Sequence, residues 1–359
     1  MNTNHWIISK KTDLTVFLIP LGLAFLSPLS LLIGIEETIP FWAFILFIVA
    51  FDVAHVWATM YRTYFDPEEF NRRKMLYLLP IPVFMYISLR LHYYSPQLFW
   101  TILAYVAIYH FIRQNYGFLI FYKLRRNETS AFDFYLDKWT LYAGAFGPVL
   151  WWHATPKRQF DWFNAGESFI FKLDPKFAAD ITAIYILFLS LYAGRQIYLY
   201  VTNKYFNAGK NLIMTAHFIT WFVGIALTNN PLISAAFLNL FHGIPFIYFI
   251  WYYCNQKWYN PEKPSRRYFI ERVSKKGRWF SFFLFIFMLA MIEEFFWDLK
   301  VWQTYIPDTF NVNLQEPDTL ELSIWIAFLS LSQIMHYFLD GWIWKFNKSN
   351  PDLKKIFRL

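Results

Sequence analysis

The sequence predicts an all-α, polytopic integral membrane protein of about ten transmembrane helices with both termini in the cytoplasm. Three observations carry this expectation. Apolar runs of about 20 residues, enough to span a bilayer as a helix, recur along the whole chain. Only 16% of the residues are charged, against about 25% in an ordinary soluble domain. The basic residues, finally, alternate from loop to loop.

The apolar runs place helices at 14–34, 40–61, 75–91, 96–122, 139–153, 178–201, 212–228, 231–254, 279–297 and 321–345. The first lacks a small-x-small cleavage pattern, so it reads as a retained helix rather than a signal peptide. The fifth is short enough to be re-entrant. Prolines at 20, 28, 80, 82, 148 and 245 fall inside runs and are expected to kink them. With these helices, 25 of the 33 Lys and Arg lie at the N-terminus, in every second loop and in the C-terminal tail, and five lie in the alternate loops. Lys and Arg concentrate on the cytoplasmic side, which puts both termini there. The inner (plasma) membrane of a bacterium is the expected setting.

The chain thus reads as one transmembrane helical domain over 1–359. It has a basic cytoplasmic loop at 255–278 and non-cytoplasmic loops at 154–177 and 298–320. The net charge of +8 belongs against lipid headgroups rather than nucleic acid. A single cysteine, Cys254, excludes an internal disulfide and a thiolate metal cluster.

Polar residues inside the helices fall into stripes. Asp52, His55, Thr59 and Arg62 on the second helix share roughly an 80° arc at 100° per residue. The fourth carries His110, Arg113 and Gln114 on one face, and the seventh carries His217. The eighth carries Asn239 and His242, followed by Gly243 and Pro245. The tenth carries Gln333, His336 and Asp340, with Lys345 at its cytoplasmic end. Ionisable groups at bilayer depth cost about 2.5–3.5 kcal/mol each on insertion scales, so they usually pair or bind something. At 1.5 Å per residue, His55 and His217 lie roughly 7–9 Å from the cytoplasmic helix ends, His336 roughly 14 Å, and His110 and His242 roughly 18 Å. These five share one slab, and His5, His92 and His153 lie outside it.

A histidine beside an acid or amide at helical spacing suits metal ligation: one ring nitrogen binds the ion while the other donates to an oxygen. Imidazole and carboxylate without thiolate suit iron, copper or zinc. The expected ligands are His55, His110, His217, His242 and His336. Asp52, Arg113 and Asp340 are expected to act beside them, as catalytic or ring-orienting groups. Arg62, Arg195 and Lys345 are expected to hold an anionic headgroup. The resulting expectation is a metal-dependent oxidoreductase of oxygenase or desaturase type. It would use a transition metal, non-haem iron first, on a lipid or isoprenoid substrate, with an electron donor as partner. Integral-membrane desaturases and hydroxylases carry HxxxH and HxxHH boxes; this chain has no HxxxH and no HH pair. Two alternatives stay open: haem on axial histidines, and a proton-coupled transporter built on the His/Asp/Arg chain.

Overall fold

The computed structural model describes residues 6–29, 39–155, 171–259, 268–305 and 317–359. His5, and the middles of the loops at 154–177, 255–278 and 298–320, lie outside them. Among the described residues the chain is helical and has no strand. Its long helices are α1 (Lys10–Leu29), α2 (Phe41–Arg62), α3 (Lys74–Tyr94), α4 (Pro96–Arg125), α5 (Ala131–His153), α6 (Pro175–Asn203), α7 (Ala208–Leu227), α8 (Pro231–Trp258), α9 (Trp279–Trp302) and α10 (Thr319–Ile343). Eight of these, all but α4 and α5, are long and apolar enough to cross a membrane. The protein is a multi-pass integral membrane protein, all-helical among the described residues.

Helix α5 starts at Ala131, well before the expected 139. Ser130 caps it by accepting from the Asp133 N–H. Asp133, Asp137 and Lys138 lower the hydropathy of its first turns, which hid the helix from an apolar-run reading. It continues unbroken through Pro148 to His153. Asn207, Asn230 and Asp318 cap α7, α8 and α10 in the same way.

The bundle is organised around α8. Some 72% of its most apolar stretch is buried, against 6% for α6, which lies at the periphery against α5. Helix α8 packs on α1 and α2, and α2 packs in turn on α9 and α10. At Gly243 a Cβ would stand 2.0 Å from the Phe51 carbonyl oxygen, so glycine is what allows α8 and α2 to approach this closely. Pro245 removes one backbone donor from α8. Nearby, the His242 carbonyl accepts a hydrogen bond from Gln114 Nε2 of α4 at 2.8 Å.

The first described residues and the C-terminal residues lie at one end of the bundle. The Arg125 guanidinium, at the end of α4, donates to the Trp6 carbonyl at 3.1 Å and to the Phe357 and Arg358 carbonyls. Three helices contain π-helical turns: Phe44–Val53 in α2, Phe222–Leu227 in α7 and Asp298–Trp302 in α9. Such turns widen a helix and often mark functional sites. The one in α2 leads directly into the α-helical turn that carries His55.

Candidate metal centre

Four histidines converge at the middle of the bundle, one each from α2, α4, α8 and α10. His55, His110, His242 and His336 are all buried, and one ring nitrogen from each lies within 4.8 Å of the other three. His242 Nε2 stands 3.0 Å from His55 Nε2, and His336 Nε2 stands 3.0 Å from His110 Nε2. Nitrogens ligating one ion at about 2.0–2.1 Å would be separated by about 3.0–4.2 Å; the two 3.0 Å pairs lie in that range, and the 4.8 Å limit across all four lies slightly beyond it. The same 3.0 Å contacts also fit an N–H···N hydrogen bond inside each pair. Hydrogen bonding alone, however, gives no reason for the two pairs to share one point.

The outer ring nitrogens are held less uniformly. His336 Nδ1 meets Thr59 Oγ1 at 2.7 Å, while Asp340 Oδ1 is 3.8 Å away. The carboxylate expected to orient this ring is thus displaced by a hydroxyl from the next helix. Asp340 Oδ2 also lies 4.0 Å from His110 Nε2. Asp52 Oδ1 is 3.7 Å from His55 Nδ1, beyond hydrogen-bond range, and the Nδ1 atoms of His55 and His242 are without hydrogen-bond partners. Aromatic rings enclose the group. Phe111 stacks on His242 at 3.7 Å, Phe246 presents an edge to His55 and His336, and Tyr337 lies 4.6 Å from His110.

Two cavities flank this layer: His110 lines the second, and the first meets Asp52, Phe111 and Tyr337 beside the histidines. The first, of about 710 Å³, runs from Asp52 and Tyr337 to the helix ends opposite the termini, at Ile39, Asn229 and Trp302. The second, of about 420 Å³, is a groove between α4 and α10 with His110 and Asp340 at its inner end and Arg113 and Lys345 on its walls. Val106 and Tyr109 on its rim are exposed, so it opens sideways, on the flank of the bundle. Tyr337 lines both cavities, and its hydroxyl accepts from Gln333 Nε2 at 2.6 Å.

The structure does not place every expected residue at this centre. His217 is buried, but Asn115 Nδ2 lies 3.1 Å from its Nδ1 and its Nε2 lies 2.8 Å from the Leu141 carbonyl. Both ring nitrogens are used, and His217 ties α7 to α4 and α5 instead of joining the other four. Arg195 forms a two-pronged pair with Asp133 at 2.7 and 3.0 Å, on the peripheral α6, and lines neither cavity. Arg62 is buried between the rings of Tyr253 and Trp344, each 4.2 Å from its guanidinium carbon, so it packs inside the bundle instead of reaching a headgroup. Arg113 is exposed and approaches the Tyr142 hydroxyl at 3.3 Å, and Lys345 lies over the Trp342 ring.

Three cavity residues escaped the sequence reading. Glu293 accepts from Trp57 Nε1 at 2.6 Å and from the Ser332 hydroxyl at 2.8 Å. Glu294 and Tyr337 are the others. Two adjacent acids inside the apolar run at 279–297 are the signal in the sequence, but they carry no histidine at helical spacing. No protein-family model, no curated protein and no solved structure matches this chain.

Proposed function

We propose that His55, His110, His242 and His336 hold one transition-metal ion, non-haem iron, and that the protein is a membrane oxidoreductase acting on a lipid or isoprenoid substrate. The observation that carries this is the meeting of four imidazole nitrogens at the inner end of a groove on the flank of the bundle. Iron held by imidazole supplies redox chemistry toward an unactivated hydrocarbon chain. The chain's own residues bind and orient. The apolar groove takes the hydrocarbon, and Arg113 and Lys345 on its walls hold an anionic head. Phe111, Phe246 and Tyr337 pack around the imidazoles and limit water there. Asp340 stands within 4.0 Å of both His110 and His336 and supplies negative charge beside the cation. The alternation of basic residues supports ten membrane passes, α4 and α5 included, with the termini at the cytoplasmic face.

Haem fits this site poorly. A porphyrin occupies the space between its two axial imidazoles, and here the other two rings fill that space. The acid-lined cavity on the far side of the layer favours a second reading, a proton-coupled transporter. Metal analysis with a visible absorption spectrum of the purified protein separates the three. About one iron per chain without a Soret band is the expected result. A Soret band would favour haem, and the absence of stoichiometric metal would favour transport.

A further inference from the structure

The larger cavity has a chemical character of its own. Its walls carry Asp52 from α2, Glu293 and Glu294 from α9, Asn239 from α8 and Gln333 from α10, and among the described residues no Lys, Arg or His lines it. Glu293 is satisfied by Trp57 and Ser332. The carboxylates of Asp52 and Glu294 accept no hydrogen bond from any described residue and face the open space. An ionisable group at this depth is tolerated where it is paired or wet. The volume holds on the order of twenty waters. All three π-helical segments contribute to the lining, through Asp52, Ile225 and Trp302 among others. Behind the lining, the buried Nδ1 of His55 lies 3.7 Å from Asp52 Oδ1. The groove on the other side of Tyr337 has the opposite character, apolar and flanked by Arg113 and Lys345.

We propose that the acid-lined cavity is a water-filled vestibule that draws small cations, protons and divalent metal ions alike, to the four-histidine layer from the face opposite the termini. Negative charge inside low-dielectric walls focuses its field and raises the local concentration of cations. The two approaches to the layer would then sort reactants by charge: cations through the vestibule, apolar chains with anionic heads through the groove. This inference does not depend on which ion the histidines hold.

Thiol accessibility tests it without any metal. Cys254, the only cysteine, is fully buried, so Cys254→Ser provides a background free of reactive thiol. Ala235→Cys places a reporter in the vestibule and Val106→Cys one in the groove. Ser234→Cys, nearly isosteric, is the second vestibule reporter should Ala235→Cys fail to fold. Sealed vesicles are treated with cationic and anionic methanethiosulfonates, with rates normalised to a free thiol. The vestibule reporter should react from the face opposite the termini only, with the cationic reagent favoured by about tenfold. Glu294→Gln should reduce that preference. The groove reporter should resist both charged reagents and react with an apolar maleimide. A vestibule reporter that reacts only with the apolar maleimide would overturn the proposal. Equal normalised rates for the two charged reagents, unaffected by Glu294→Gln, would overturn it as well.

Discussion

Two buried polar clusters in this bundle are built in opposite ways. Near the end that carries the termini, Lys123 and Lys210 both contact Glu128 and Asp137, with Lys210 Nζ 3.1 Å from Glu128 and 3.3 Å from Asp137. Glu128 also accepts from Asn207 at 2.7 Å and from the Tyr205 hydroxyl at 2.9 Å. Burial pushes the Glu128 carboxyl up, but the Lys210 and Lys123 ammonium groups outweigh it and hold that carboxyl below the ordinary glutamate range. Donors there meet acceptors of opposite charge, with Asp137 Oδ1 alone among these carboxylate oxygens lacking a hydrogen-bond partner. In the histidine layer, imidazole faces imidazole: one nitrogen from each of four rings lies within 4.8 Å of the others, with 3.0 Å contacts inside two pairs. His217 sharpens the contrast, because both of its nitrogens already have partners within the chain. A cluster that satisfies itself is structural. A convergence of like groups calls for something from outside.

The largest expected effect lies at the convergence. His55→Ala or His336→Ala should lower metal affinity by more than about 100-fold, because loss of an outer-sphere partner already costs about 10–100-fold. His217→Ala should retain full metal content. Metal per purified chain in the three variants decides the matter, and equal content in all of them would erase the distinction between the clusters.

Next comes the self-complementary cluster. Lys210→Met leaves Glu128 and Asp137 short of a counter-charge and should cost about 3–5 kcal/mol in denaturant stability, with metal content unchanged. A pH signature accompanies it. The folded-state pKa of Glu128 is depressed below the ordinary glutamate value of 4.5, so its stabilisation is complete above that value and is lost as pH falls through the folded-state value. The wild-type protein should therefore lose stability in acid, and Glu128→Gln should lose less over the same range. An identical acid slope in the two proteins would show that Glu128 is not tightly paired.

The smallest expected effects are at the outer nitrogens. Thr59→Val removes the hydroxyl from His336 Nδ1, and Asp340→Asn removes a nearby charge. Each should weaken metal binding by about 10–100-fold while the fold persists. If these groups only join helices, with bonds averaging about 0.6 kcal/mol, both variants should bind metal like the wild type. A competition titration with a metal chelator measures the difference.

The sequence reading and the structure agree where hydrophobicity and depth are enough. Runs of apolar residues located the long helices, and counting residues from the helix ends put five histidines at similar depth. Depth says nothing about azimuth around the bundle. His217 therefore looked like a fifth member, although α7 turns it toward Asn115 and Leu141. Arg195 pairs with Asp133, which precedes the apolar run at 139–153, so hydropathy gives no sign that two helices bring them together. The π-helical turn before His55 could not be foreseen either. A uniform 100° step put Asp52 and His55 side by side, yet their side chains stop at 3.7 Å. Thr59 was on the stripe, but its partner on α10 emerges only from packing.

The most direct test of the central claim, that the four histidines surround one ion, is an X-ray absorption spectrum at the edge of the metal carried by the purified protein. The expected first shell contains only nitrogen and oxygen at about 2.0–2.1 Å, with outer-shell scattering from about four imidazoles, and it is the same in the His217→Ala variant. A spectrum with two imidazoles or fewer, or one that changes in His217→Ala, would contradict the assignment of His55, His110, His242 and His336 to a single metal centre.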